Sequence, residues 1–295
     1  MADKLVRGNS MDGAIRVFAA VTTDLVNEAQ RIHHTYPVAT AALGRLLTGA
    51  AIMGAAGLKN ETDSMTVQIK GEGEITNLVA VTDCHSRVRG YVSNPYVDRP
   101  LNNKGKLDVG GAIGGGYLSV VRDLGLKEPY VGQIPLVSGE IAEDLTYYYA
   151  KSEQIPTAIA LGVLVDTDTS IKAAGGFIIQ LMPGATLEVA TMLEERITHL
   201  KYITELLDRG ETPETILDAV LGDMDLEIID KMPTEFYCDC SRERVEKALI
   251  SIGEKDLRTI LEEDKKAEIS CHFCNKVYNF DEADLKKLLD EATSK

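Results

Sequence analysis

Four cysteines in the last quarter of the chain constrain its fold more than any other feature. They form Cys238-Asp239-Cys240 and, after 30 intervening residues, Cys271-His272-Phe273-Cys274, while Cys84 is the only other cysteine among 295 positions. Two close pairs on short turns are ligand spacing for zinc, which takes deprotonated sulfur in a tetrahedron. Zinc–sulfur bonds of roughly 2.3 Å hold such sulfurs roughly 3.8 Å apart, so loss of the metal leaves each thiolate within disulfide reach of a partner. The same atoms can serve as a permanent structural knot or as a redox switch, and spacing does not choose between them. His272 sits inside the second pair, but four sulfurs already complete the tetrahedron. Cys238, Cys240, Cys271 and Cys274 are therefore the expected ligands of one Zn2+ per chain.

Charge narrows the partners. The balance of 31 Lys+Arg against 46 Asp+Glu gives −15, which repels phosphate backbones and anionic lipid surfaces, so neither nucleic acid nor membrane is an expected partner. Met1-Ala2-Asp3-Lys4 runs into a mixed polar sequence without a signal-peptide pattern. Cysteines clustered at ligand spacing also differ from an evenly paired secreted framework, and together these point to a cytoplasmic protein with reduced thiols. Thr40 to Leu58 is nearly free of charge and long enough to cross a bilayer, but it is rich in Ala and Gly and carries Arg45. It reads as a buried helix of a soluble protein.

The patterning predicts an α+β fold. Strand signals fall at Ile15–Val21, Met65–Ile69, Ile75–Val81, Arg87–Val92, Tyr117–Arg122, Ile159–Val165 and Gly175–Leu181, with turns that suggest antiparallel hairpins. Helices are expected at Asp24–His34, Thr40–Gly54 and Gly139–Lys151. Met182-Pro183-Gly184 ends the first domain, 1–184, an antiparallel sheet with helices. Residues 185–230 then read as a helical connector. Leu187, Met192, Leu193, Ile197, Leu200, Ile203 and Leu207 mark one apolar face, and Thr212 caps a second helix, Pro213–Leu221. That face is expected to dock on the sheet domain and to be adhesive if uncovered. Residues 231–295 form the small zinc-binding domain, with helices at Ser241–Leu249, Lys255–Glu262 and Asp281–Glu291 and a hairpin at Cys271. So short a segment is marginal without its metal.

Other candidate chemistry is weaker. Cys84 and His85 adjoin at a strand end, where neighbours point to opposite faces, so Cys84 is expected to be a half-buried free thiol. Gly110 to Gly116 is glycine-rich but precedes a strand rather than a helix, which suits a sharply turning loop better than a phosphate cradle. Acidic residues such as Glu188, Glu194, Glu195 and Glu205 are scattered over helical surfaces. No enzyme site is evident.

Tyr237 to Val245 and Cys271 to Tyr278, with the gap between them, closely resemble the redox-switch domain of the bacterial 33 kDa heat-shock protein family, redox-regulated holdase chaperones. Ser119 to Gly125, Ser152 to Pro156, and Ala174 to Phe177 through Met182-Pro183 resemble that family's N-terminal domain. The resemblance implies a reduced, zinc-loaded, inactive form. It also implies oxidation to Cys238–Cys240 and Cys271–Cys274 disulfides, zinc loss, unfolding of the C-terminal domain, and a homodimer that holds unfolding client proteins without ATP. A static zinc module for a fixed partner and a thiol-disulfide oxidoreductase are the competing classes. The latter suits the sequence less, because the C-x-x-C lies in a metal-type hairpin and lacks a helix N-terminus.

Overall fold

The computed structural model describes residues 2–199 and 202–293, which fall into two compact units, Met1–Tyr237 and Cys238–Lys295. The first unit is built on two sheets. Strands β1 (Lys4–Ser10), β2 (Ile15–Val21), β8 (Thr157–Val165), β9 (Ile171–Leu181) and β10 (Glu227–Pro233) form an antiparallel sheet in the order β10-β1-β2-β9-β8. Strands β3 (Ser64–Gly71), β4 (Asn77–Asp83), β5 (Arg87–Val92), β6 (Gly116–Asp123), β7 (Tyr130–Pro135) and β11 (Glu235–Phe236) form a second, in the order β11-β5-β4-β3-β6-β7, with only β11 parallel to its neighbour. The α+β class follows from this segregation of mainly antiparallel sheets and helices.

Helix α2 (Pro37–Gly57) packs against strands of both sheets. Its most apolar stretch is 94% buried, so a segment long and apolar enough to cross a membrane is here the core helix of the unit. Small residues make the fit possible: a Cβ on Gly44 would lie 2.8 Å from the Val26 side chain. Its single charged residue, Arg45, pairs with Glu140 at 2.6 Å, as a half-buried cation requires. Helix α1 (Thr23–His33), α3 (Val109–Ile113) and α4 (Ala142–Tyr148), which runs into a π-helical turn at Tyr149–Glu153, complete this core.

The connector stretch belongs to the first unit. It holds α5 (Leu187–His199), α6 (Ile203–Asp208) and α7 (Pro213–Leu221), and Leu200 lies outside the described residues. Val189, Leu193, Ile203, Leu207, Ile216, Leu217, Val220 and Leu221 bury themselves against Val6, Ile15, Val17, Ala19, Phe177 and Ile179, on the face of the sheet opposite α2. The expected docking face is thus present, although Leu187 is 84% exposed. Thr212 caps α7 by accepting the Thr215 N–H at 3.3 Å, and Pro213 takes the first turn. Glu214 is clamped by Lys4 and Lys231 at 2.9 Å each.

Four strands of the first unit were not visible in the patterning. β1 and β7 mix polar with apolar residues, and β11 is only two residues long. β10 replaces the end of the expected helical connector, because its alternating Ile228, Asp230 and Met232 pair along the otherwise open edge of β1. The pairing shifts register at Arg7/Gly8, where a Cβ on Gly8 would come within 2.4 Å of the Glu227 carbonyl, so only glycine fits.

The second unit contains α8 (Arg242–Ser251), α9 (Glu254–Glu263), the hairpin β12 (Ala267–Ser270) and β13 (Val277–Phe280), and α10 (Glu282–Thr293). Its core is small: Leu249, Leu257, Tyr278, Phe280, Leu285, Leu288 and Leu289.

Candidate metal centre

Each cysteine pair is set by a local device. Cys238 and Cys240 occupy an extended segment that ends where Ser241 caps α8, accepting the Arg244 N–H at 3.3 Å. Arg244 returns to pair with Asp239 at 2.5 Å, which ties the residue between the cysteines to the helix. Cys271 and Cys274 sit on the turn between β12 and β13. The Asn275 N–H donates to the Cys271 carbonyl at 2.8 Å, and Asn275 takes the left-handed conformation (φ 57°) that asparagine tolerates well. The Cys271 N–H donates to the Lys276 carbonyl at 3.0 Å and closes the turn.

The four sulfurs converge within 4.8 Å of one another, and all four residues are half-buried and free of disulfides. Cys238 Sγ lies 3.8 Å from Cys271 Sγ, and Cys240 Sγ lies 3.3 Å from Cys274 Sγ. These are about the separations of a tetrahedral thiolate set around zinc. Both contacts run between the two chain segments, so a cation at this point is a cross-link between them.

The electrostatics fit the same occupant. Burial pushes the Cys238 thiol up and the Cys274 thiol up to about 11. Burial also opposes ionisation of Cys240, but hydrogen bonds from the Tyr278 hydroxyl (3.2 Å) and the neighbouring thiols outweigh it and hold Cys240 below the ordinary thiol value. Four thiolates at this spacing need a metal ion to balance their charge. The donor set is soft and complete, which suits a closed structural site without an open coordination position.

His272 is exposed and is not one of the four clustered ligand groups. Cys84 lies in the turn between β4 and β5, half-buried against the core, with its thiol pushed up by burial and by Asp83. His85 is exposed, its backbone N–H donating to the Asp83 carboxylate at 2.9 Å. The glycine-rich stretch turns sharply: α3 ends at Gly114 (φ 70°), and at Gly116 (φ 137°) a Cβ would collide with the Lys70 carbonyl. Sequence reasoning missed Tyr278, the hydroxyl donor to Cys240. Its position four residues after Cys274 was the available signal, since a strand leaving the turn must carry a side chain back over the sulfurs.

A family model described as Hsp33 protein matches residues 3–281. The chain belongs to the Hsp33 family. A 33 kDa chaperonin of Clostridium beijerinckii is 51% identical over 293 residues, covering 99% of this chain and 100% of the relative. One of Clostridium perfringens is 52% identical over 295 residues, covering 99% and 92%. The crystal structure of a 33 kDa chaperonin (heat shock protein 33 homolog) from Thermotoga maritima matches with a TM-score of 0.91 at 40% identity, covering 100% of both chains. The chain is thus a member of a chaperone family, and the names its relatives carry describe chaperonins rather than catalysts. Within Hsp33 terms, the four-cysteine cluster is compatible with a bound zinc ion.

Proposed function

We propose that this protein is a cytoplasmic, ATP-independent holdase whose activity is controlled by the oxidation state of Cys238, Cys240, Cys271 and Cys274. The observation that carries this is the sulfur cluster itself, in which the close contacts join two separate segments of the small unit. Bound zinc would supply a tetrahedral cross-link there and keep the sulfurs as thiolates.

Oxidation changes which atoms are joined. A thiolate attacks a peroxide oxygen and becomes a sulfenic acid, releasing hydroxide or water. Its partner thiolate then attacks that sulfur, forming the disulfide and expelling hydroxide, so each bond consumes one peroxide, which takes up the two electrons that the two thiolates give up. The Hsp33 resemblance assigns these bonds to Cys238–Cys240 and Cys271–Cys274. Links between segments are then replaced by links within them, and all four metal donors are lost. The core of seven buried side chains must next hold the unit alone, in a segment below the size that usually sustains an independent core.

Residues 1–184 serve as a platform, 185–230 as the transmitting element and 231–295, whose compact unit begins only at Cys238, as the sensor. β10 and β11 join the two sheets of the first unit to the chain that enters the cysteine segment, so loosening at Cys238 acts directly on strands that hold the connector's end. Undocked, the connector would present the apolar face it now buries to unfolded client proteins, and a second copy could share that surface as a homodimer. The charge of −15 argues against nucleic acid and membrane as partners.

The test is light scattering of a chemically unfolded client without ATP. Peroxide-treated protein is expected to suppress aggregation at near-stoichiometric amounts, and reduced, zinc-loaded protein to leave it unchanged. Equal suppression by the two forms would refute redox control.

A further inference from the structure

The first unit contains a polar cavity that redox control does not use. It is a half-open space of about 180 Å3 where the C-terminal end of α2 meets β2, β9 and the π-helical turn after α4. Strand alternation explains how a charge arrives there. Ile15, Val17 and Ala19 of β2 face the connector, whereas Phe18 and Ala20 face α2, and Arg16 shares that second side. Its guanidinium lies 4.7 Å above the Phe18 ring, and Nη2 donates to the Ala56 carbonyl at 2.8 Å.

Arg16 makes no ion pair among the described residues, although burial works against its charge and pushes its pKa down. Gln180 stands directly opposite it in register on β9, is only 3% exposed, and lines the same cavity. Its amide has no hydrogen-bond partner among the described residues. A half-buried cation with one hydrogen bond and a buried amide with none stand side by side and face one half-open cavity, and buried groups of these kinds ordinarily have partners. Capping α2 accounts for one of the five guanidinium N–H groups and for nothing at Gln180. The nearby carboxylate does not fill the gap: Glu153 is taken by Arg122 at 2.5 Å and by the Tyr148 hydroxyl at 2.6 Å.

We propose that this cavity binds a small monocarboxylate. Its oxygens would accept from the Arg16 guanidinium and the Gln180 amide, and its short hydrocarbon part would lie against Met53, Met65 and Val120. One uncompensated positive charge calls for one negative charge. The carbonyl end of α2 and the Glu153 carboxylate disfavour a dianion such as hydrogen phosphate. The space admits about six water-sized groups, which suits an acid of four or five carbons.

The experiment uses the reduced, zinc-loaded full chain with sodium butyrate, its neutral isostere butyramide, and inorganic phosphate, followed by calorimetric titration and melting temperature. Butyrate is expected to bind saturably and raise Tm by at least about 2 °C, with butyramide and phosphate at least about tenfold weaker. Gln180→Leu is expected to weaken butyrate at least about tenfold. Arg16→Lys, which keeps the charge but not the fork, should weaken it to an intermediate degree in a protein whose circular dichroism is unchanged. Butyramide or phosphate matching butyrate, no saturable butyrate binding, or wild-type affinity in both variants would overturn the proposal. None of these outcomes bears on redox control, which rests on other residues.

Discussion

Docking of the connector should be separable from the metal centre by truncating its deepest anchors. Ile216 and Leu221 are both 0% exposed and pack with Val17, Ala19, Phe177 and Ile179 beneath α7. Truncating one such side chain costs about 2–5 kcal/mol through lost transfer energy and the cavity left behind. The two share neighbours, so their effects need not add, and about 4 kcal/mol is a conservative figure for Ile216→Ala with Leu221→Ala. If that cost falls on docking rather than on the whole unit, the population with the connector lifted rises by on the order of a thousandfold. The cysteines lie in the other unit and are untouched. The reduced variant is therefore expected to keep one zinc, bind a hydrophobic dye, lose hydrogen-exchange protection in residues 187–221, and suppress client aggregation without oxidant. A variant destabilised by this amount that stays dye-silent and inactive until oxidised would refute the connector's role as transmitting element.

Chelating the metal from the reduced protein, with the freed thiols then alkylated to prevent disulfides, should unfold the small unit, because structural zinc contributes about 10–16 kcal/mol in small domains against a typical domain stability of about 5–15 kcal/mol. Helices α8, α9 and α10 hold 10, 10 and 12 residues, about a third of the α-helix described, so ellipticity at 222 nm should fall by roughly that share; an unchanged spectrum would contradict this. Asp3 is raised to about 6 by burial, despite accepting the Leu25 N–H at 2.7 Å. Because its folded pKa exceeds its unfolded one, the cost of ionising it is absent below about pH 4 and full above about pH 6. Asp3→Asn is expected to stabilise the first unit at pH 7.5 by up to about 3 kcal/mol in urea titration, with the gain shrinking toward pH 4; a gain independent of pH would count against it.

The four-sulfur cluster was legible because its geometry is local. Each pair sits on a few residues of turn, and spacing alone brings two sulfurs together, so Cys238, Cys240, Cys271 and Cys274 could be named without a fold. Helix α2 was legible for a similar reason, since an Ala- and Gly-rich run with one arginine fits only where backbones approach closely. Strand β10 was not. Ile228, Asp230 and Met232 alternate as a half-exposed strand does, but what makes them one is the open edge of β1, more than 200 residues earlier in the sequence. The Arg16–Gln180 pairing was invisible on the same grounds, because it exists only through the register of β2 against β9.

Titrating the reduced protein with peroxide at elevated temperature shows whether sulfur bridging within each pair removes the cross-link between segments. Released zinc, remaining thiols and disulfide-linked peptides are measured in each sample. One zinc is expected to be released as four thiols disappear, with bridges at Cys238–Cys240 and Cys271–Cys274, Cys84 still free, and full reversal by dithiothreitol with zinc. Zinc retained after the thiols are lost, or bridges joining Cys238 to Cys271 and Cys240 to Cys274, would contradict it.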